Sequence, residues 1–321
     1  MQIHFWGTRG SLPASIAAEA IEKKLFAAVK RSRSLPLNTD EAIMAFVKKE
    51  LPFDVRATFG GNTSCVEIRG QEEYILCDAG TGLRDFGNAF LKTNPHREDN
   101  VPPVFHIFIS HLHWDHIQGF PFFTPAYIPG NQIHIYGGHE NLEEAFVNQQ
   151  SAPSFPVPLK AMKADIVFHT LETGKIYNIA GLHVQAIRQN HPGDSFGFRF
   201  EKEGKIMVYS TDAEHKDEAG DEAYEFISFF KNADLLVFDA QYRFLEAIGM
   251  KENWGHSSNL LAVELAVKAE VKCLCMFHSE HTYDDEMLAS FLQETREYLK
   301  IHTPSSPLEI YLAYDGMDLE I

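Results

Sequence analysis

Seven residues constrain this chain more than any other stretch. SHLHWDH (110–116) directly follows VFHIFI (104–109), a run apolar enough to be a strand buried on both faces. The motif therefore sits on a loop at the C-terminal end of a strand, where the sites of α/β proteins gather. It packs His111, His113, Asp115 and His116 into six residues. Neutral imidazoles and a carboxylate suit Zn, Mn or Fe rather than Ca. Four donors so close together do not converge easily on one ion while leaving a position open for substrate. Two ions, each taking part of its ligands here, is the natural solution.

Two ions need further ligands from distant loops, again just past apolar strands. His191 follows HVQAIRQN, Asp212 follows KIMVYST and His278 follows VKCLCMF. A single His or Asp at a strand end is a capping residue as readily as a ligand. Their joint placement makes them the candidates, and a carboxylate's ability to bridge favours Asp212 for that role.

The rest of the pattern is α/β. Strands are expected at 2–6, 64–69, 73–78, 104–109, 132–136, 165–169, 182–188, 196–201, 205–209, 234–238, 272–277 and 308–313. Helices fit 139–149, 221–231, 258–269 and 284–299. Elements interleaved in this way predict a layered sandwich with helices outside. Residues 14–50 break the rhythm with two helix-like stretches split by SRSLPLN, and read as a helical hairpin inserted into a single domain spanning 1–321. Its Lys23, Lys24, Lys30, Arg31 and Arg33 form a basic stretch, read first as a solvated face. SAPSFPVPLK (151–160) reads as a surface loop.

Composition narrows the function. With 28 Lys+Arg against 45 Asp+Glu the net charge is −17, which argues against a general polyanion binder. A small anionic substrate is still admitted, because metal ions supply positive charge locally. No apolar run reaches the length of a membrane span, and no leader is visible at the N-terminus, so a cytoplasmic location away from membranes is expected. Four cysteines in a chain this long are no disulfide framework. Cys65, Cys77, Cys273 and Cys275 read as buried thiols.

In sequence order, FWGTRGSLP, FGGNTSC, CDAGTGL, SHLHWDHIQGFPFF, NHPGDSFGFRFE, YSTDAEH, FDAQY, WGHSS and MFHSEHTYDD resemble the metallo-β-lactamase superfamily of metal-dependent hydrolases. Within it they look most like the branch of cyclic-nucleotide phosphodiesterases and tRNA 3′-end endonucleases. The resemblance covers nearly the whole chain outside 14–50. It implies a four-layer αβ/βα sandwich with a dinuclear site on its rim. His111, His113 and His191 would hold one ion, Asp115, His116 and His278 the other, and Asp212 would bridge. A hydroxide held between the ions would be the nucleophile, with Asp115 among the catalytic residues. Zn is the default metal, with Mn and Fe open.

The same resemblance makes His256, in WGHSS, the general acid for the leaving alkoxide, and Asp239, in FDAQY, its partner. An Asp–His pair fixes the imidazole tautomer and raises its pKa. The expected activity is hydrolysis of a small anionic phosphodiester, foremost a 3′,5′-cyclic nucleotide. Long nucleic acid is not expected, because the charge is wrong and no Gly/Pro-rich arm of the tRNA-processing kind is visible. The alternative is a thioester or lactone hydrolase on the same fold, but NHPGDSFGF replaces the HTPGHTPG expected of thioester relatives. After the last ligand, Ser279, Glu280 and His281 replace a second His followed by Asp-Pro, which leaves the ligand in place and removes that extra His. Relatives pair as homodimers, and the 14–50 insertion could contribute.

Other residues have plainer expectations. Asp78 should support the ligand loop by hydrogen bonds, and His215 is a weaker candidate for the same role. His4, His106, His134, His169 and His183 are strand residues with no partner signal. Trp114 and the aromatics of 120–123 flank the motif and are expected first to pack into the core; the alternative is that they wall a pocket that stacks a base.

Overall fold

The computed structural model describes all residues except 94–100, 217–220, 222, 250 and 252. Two seven-stranded sheets carry the fold. The first contains β1 (Gln2–Gly7), β2 (Cys65–Arg69), β3 (Tyr74–Cys77), β4 (Val104–Phe108), β5 (Gln132–Gly137) and β6 (Asp165–Thr170). The second contains β7 (Ile176–Ile179), β8 (Leu182–Gln189), β9 (Ser195–Lys202), β10 (Lys205–Ser210), β11 (Leu235–Asp239), β12 (Cys273–Phe277) and β13 (Glu309–Leu312). The last strand, β14 (Asp318–Glu320), returns to the first sheet beside β1. Each sheet joins an antiparallel half to a parallel half: β3 to β6 are parallel in one, β10 to β13 in the other.

The helices are α1 (Ala18–Ser32), α2 (Asp40–Ala45), α3 (Phe53–Arg56), α4 (Gly82–Thr93), α5 (Trp114–Ile117), α6 (Leu142–Gln149), α7 (Glu225–Phe230), α8 (Phe244–Ile248), α9 (Asn259–Lys268) and α10 (Asp285–His302).

Side-chain alternation sorts the core into three layers. Leu235 and Val237 of β11 join Phe5, Val66, Phe108, Phe198 and Phe277 between the sheets. Leu236 and Phe238, one residue out of phase, meet α7, α9 and α10 on the outer face. On the first sheet Phe105 and Ile107 meet Leu83, Phe86 and Phe90 of α4 and Phe146 of α6. Strands buried on both faces read as continuous apolar runs for this reason. The result is the αβ/βα sandwich expected from the sequence.

Several elements differ from the sequence expectation. Helix α4 and strands β7 and β14 were not anticipated. Helix α7 begins at Glu225 rather than 221, and residue 222 lies outside the described residues. Residues 14–50 carry α1, α2 and a π-helical turn at Phe46–Glu50. Helix α1 buries no residue, and Ile21, Leu25, Phe26 and Val29 are exposed on it. Of its basic residues, Lys23 pairs with Glu19 in solvent, whereas Lys24 turns inward to Asp285 at 2.7 Å and donates to the Ala57 carbonyl at 2.7 Å. Among the described residues no helix is long and apolar enough to cross a membrane.

Candidate metal centre

The site forms where strands of both sheets end. Asp78 follows β3, 110–116 follow β4, His191 follows β8, Asp212 follows β10, Asp239 closes β11 and His278 follows β12. Asp78, Asp212 and His278 all have left-handed backbones, with φ of 63°, 53° and 62°. Asp and His tolerate that region better than most residues, and such strain gathers at functional sites.

All seven residues expected to hold metal come together. Potential ligand atoms lie within 4.8 Å of one another in His111/His113/His191, in Asp115/His116/His278 and in His111/His116/Asp212. Asp212 stands between the first two groups. Its Oδ1 is 3.6 Å from His111 Nε2, 4.0 Å from His191 Nε2 and 3.4 Å from His278 Nε2, and its Oδ2 is 3.1 Å from His116 Nε2. Asp115 Oδ2 lies 3.1 Å from His278 Nε2 and 3.3 Å from His116 Nε2. His113 Nδ1 and His191 Nε2 are 3.3 Å apart.

This donor set fits divalent cations. Ligands about 2.1 Å from a tetrahedral ion lie about 3.4 Å from each other, close to the spacings found here. His111 Nε2 is buried with no hydrogen-bond partner, an arrangement costly for a nitrogen that must stay empty. Burial lowers the pKa of His111, and of His113 and His191 to a lesser degree, which keeps them neutral, the form that ligates. At His116 burial works the same way, but Asp212, Asp115 and Asp78 outweigh it and raise its pKa. Burial pushes Asp115 and Asp212 up, and the facing histidines override that and hold both carboxyls well below the usual range.

Asp78 anchors this cluster. It accepts from His116 Nδ1 at 2.7 Å, from the Ser110 amide at 2.7 Å and from the Tyr209 hydroxyl at 2.7 Å. It thereby fixes the His116 tautomer with Nε2 toward the site. The Gly255 carbonyl does the same for His191, accepting from Nδ1 at 2.8 Å. Asp115 is held by the Ser11 amide at 2.8 Å. Sequence reading missed Ser11, Tyr209 and Gly255; only Ser110, beside the ligand run, stood where a signal could be seen.

His256 Nδ1 lies 2.8 Å from Asp239 Oδ2 and 3.8 Å from Asp212 Oδ1. Burial would lower its pKa, but Asp239 and Asp212 dominate and raise it. Asp239 is fully buried and also accepts from the Ala213 amide at 3.0 Å.

Some expectations are corrected. His215 does not support the ligands: its ring meets the Tyr224 hydroxyl at 2.6 Å and stacks on Phe238. His4, His106, His134 and His169 do have partners: Asp318, Glu73 with Tyr136, and each other for the last pair. Strand register brings those groups together, and local sequence carries no sign of it. Phe120 and Phe123 are core residues, but Trp114 and Phe122 are exposed. Cys65, Cys77 and Cys275 are buried, and Cys273 is partly so.

A family model described as beta-lactamase superfamily domain matches residues 73–279. A protein named ribonuclease Z from Oceanobacillus iheyensis is 25% identical over 266 residues, covering 67% of this chain and 84% of that protein. Among solved structures, the metallo-beta-lactamase fold protein YhfI from Bacillus subtilis superposes with a TM-score of 0.63 at 16% identity, covering 100% of this chain and 98% of that one. A diphosphatase of the PhnP family gives 0.60 at 17% identity, covering 100% and 97%.

Proposed function

The chain belongs to the beta-lactamase superfamily, and we propose that it is a metal-dependent phosphodiesterase acting on a small phosphodiester, foremost a 3′,5′-cyclic nucleotide. One observation carries the reading: His256 is held by a buried carboxylate at 2.8 Å on the edge of a cluster able to hold two ions. Expelling an alkoxide from a diester requires a proton, and this pair is built to keep one. Asp239 takes Nδ1–H and leaves Nε2 to carry the transferable proton. A lactam or thioester hydrolase has less need of such a group.

His111, His113 and His191 would hold one ion, Asp115, His116 and His278 the other, with Asp212 shared. Two divalent ions, Zn²⁺ before Mn²⁺ or Fe²⁺, would supply positive charge to the phosphoryl oxygens and a water of pKa near ~7. The chain's own contribution is positioning. Asp78, Ser11 and Gly255 fix three of the ligands before any ion arrives. Asp115 keeps its charge because His116 and His278 face it. The same proposal takes 1–321 as one domain with 14–50 inserted, in the cytoplasm.

A second reading is an RNA substrate, which the ribonuclease Z relative favours. Against it stands the net charge of −17. The test is a panel run with metal-quantified protein: bis(p-nitrophenyl) phosphate, cyclic nucleotides, an RNA with a 3′ trailer, acylglutathione and a homoserine lactone. Diester turnover with RNA untouched supports the small-substrate reading. RNA cleavage alone moves the assignment to a nuclease. Two ions bound with no diester cleaved sinks both.

His256→Ala should keep both ions and lose roughly 10²- to 10⁴-fold on a poor leaving group, but much less on p-nitrophenolate. Equal losses on both would remove the general-acid role.

A further inference from the structure

The chain has three tryptophans, and only one is spent on the fold. Trp6 donates its indole N–H to Glu67 at 2.9 Å and packs edge-on against Phe86. Trp114 is 78% exposed and Trp254 is 56% exposed. Tryptophan is highly buried on average, so two open indoles need a reason.

Their positions supply one. Trp114 directly follows His113. Trp254 directly precedes Gly255, whose carbonyl holds His191. His113 and His191 are themselves 3.3 Å apart. Two loops distant in sequence thus meet at one pair of imidazoles, and on each loop an exposed indole lies one residue from the residue that makes the meeting. Trp254 is braced, with the Lys251 ammonium 3.9 Å from its ring centroid. That lysine also lies 5.2 Å from the Tyr242 ring, which meets His256 edge-on. Lys251 therefore links Trp254 to the ring that packs against His256.

We infer that Trp114 and Trp254 form a stacking subsite for a nucleobase attached to the scissile diester. This rests on the diester-hydrolase reading and narrows it: the substrate carries a base on at least one side of the phosphate. Every base has a π face, so stacking of this kind tolerates any base and excludes diesters that have none.

The test uses two esters with the same leaving group, thymidine 5′-(p-nitrophenyl phosphate) and methyl p-nitrophenyl phosphate, on the metal-loaded full chain. The wild type should prefer the thymidine ester through KM. Trp114→Ala and Trp254→Ala should each lower the ratio of kcat/KM for the two esters by about 5- to 150-fold, the range for losing one stacked base. Trp114→Phe should restore most of it. An unchanged ratio in both alanine variants overturns the inference. Cleavage of neither ester would be a failure of the diester reading, and the subsite is then tested alone by titrating AMP and ribose 5-phosphate against indole fluorescence. Quenching by AMP that is lost in the alanine variants supports the subsite. Equal responses to the two ligands refute it.

Discussion

Asp78 is where the residue scale is most demanding. Its side chain accepts from His116, Ser110 and Tyr209, all of which are themselves buried. Asp78→Asn keeps the shape but turns an amide N–H₂ toward donors. The expected cost is about 3 kcal/mol of stability, from breaking a buried charged network. Zinc affinity should fall roughly 10- to 100-fold, because His116 loses the group that fixes its tautomer. Chelator competition and urea denaturation measure the two effects, and unaltered zinc affinity would refute the supporting role. His215 carries a second prediction. Burial lowers its pKa to about 3, against about 6.5 when unfolded. Between those values the unfolded chain takes up a proton that the folded chain refuses, so stability is full above about pH 7 and declines as pH falls. At pH 5 this one residue should cost roughly 2 kcal/mol relative to pH 7.5. His215→Phe should shrink the pH dependence of unfolding by that amount, and an identical dependence in both proteins would refute the assignment.

At the scale of elements, the ligand run works because two backbone segments are zipped together. The Ala79 amide donates to the His116 carbonyl at 2.7 Å, and the Gly119 amide donates to the Ala79 carbonyl at 2.8 Å. A Cβ on Gly119 would sit 1.9 Å from the Gly80 carbonyl oxygen, a backbone atom with nowhere to go. Gly119→Ala should therefore cost more than about 2 kcal/mol and weaken metal binding as well. Thermal melts with and without zinc would show it, and a variant with wild-type melting would contradict the zipper. Element scale also explains what could be read in advance. The central strands were legible because they are buried on both faces, so VFHIFI and its like stand out as apolar runs. Helix α4 was missed although Leu83, Phe86 and Phe90 keep a helical period: it contains Gly82 and Gly87, and glycine is a poor helix former. Strands β7 and β14 are short edge strands: β7 forms a tight hairpin with β8, and β14 depends on a distant partner, pairing with β1 across nearly the whole chain. The candidate ligands were legible for the opposite reason, since each lies immediately after a strong strand, whereas Ser11 and Gly255 act through backbone atoms that leave no side-chain signature.

For the whole molecule, the net charge of −17 and the centre have to be considered together. Four buried aspartates, Asp78, Asp115, Asp212 and Asp239, converge where the two sheets end. Histidines offset them one by one, but several imidazole nitrogens face each other at distances where only one of each pair can carry a proton; His116 Nε2 and His278 Nε2 are 3.1 Å apart. Divalent ions would relieve that crowding and cancel acid charge, and they would do so only in the folded chain, because the ligands come from strands of both sheets. Metal binding would thereby be coupled to global stability. At a free metal concentration 100 times Kd, one site adds about 2.7 kcal/mol, which for a domain larger than 150 residues corresponds to a rise in Tm on the order of 5 °C. Zinc addition should raise Tm by at least this amount and a chelator should reverse it. In Asp212→Ala, which removes the carboxylate common to both halves, most of the zinc-dependent shift should vanish. A shift of equal size in that variant would place the stabilising metal somewhere other than between the two sheets.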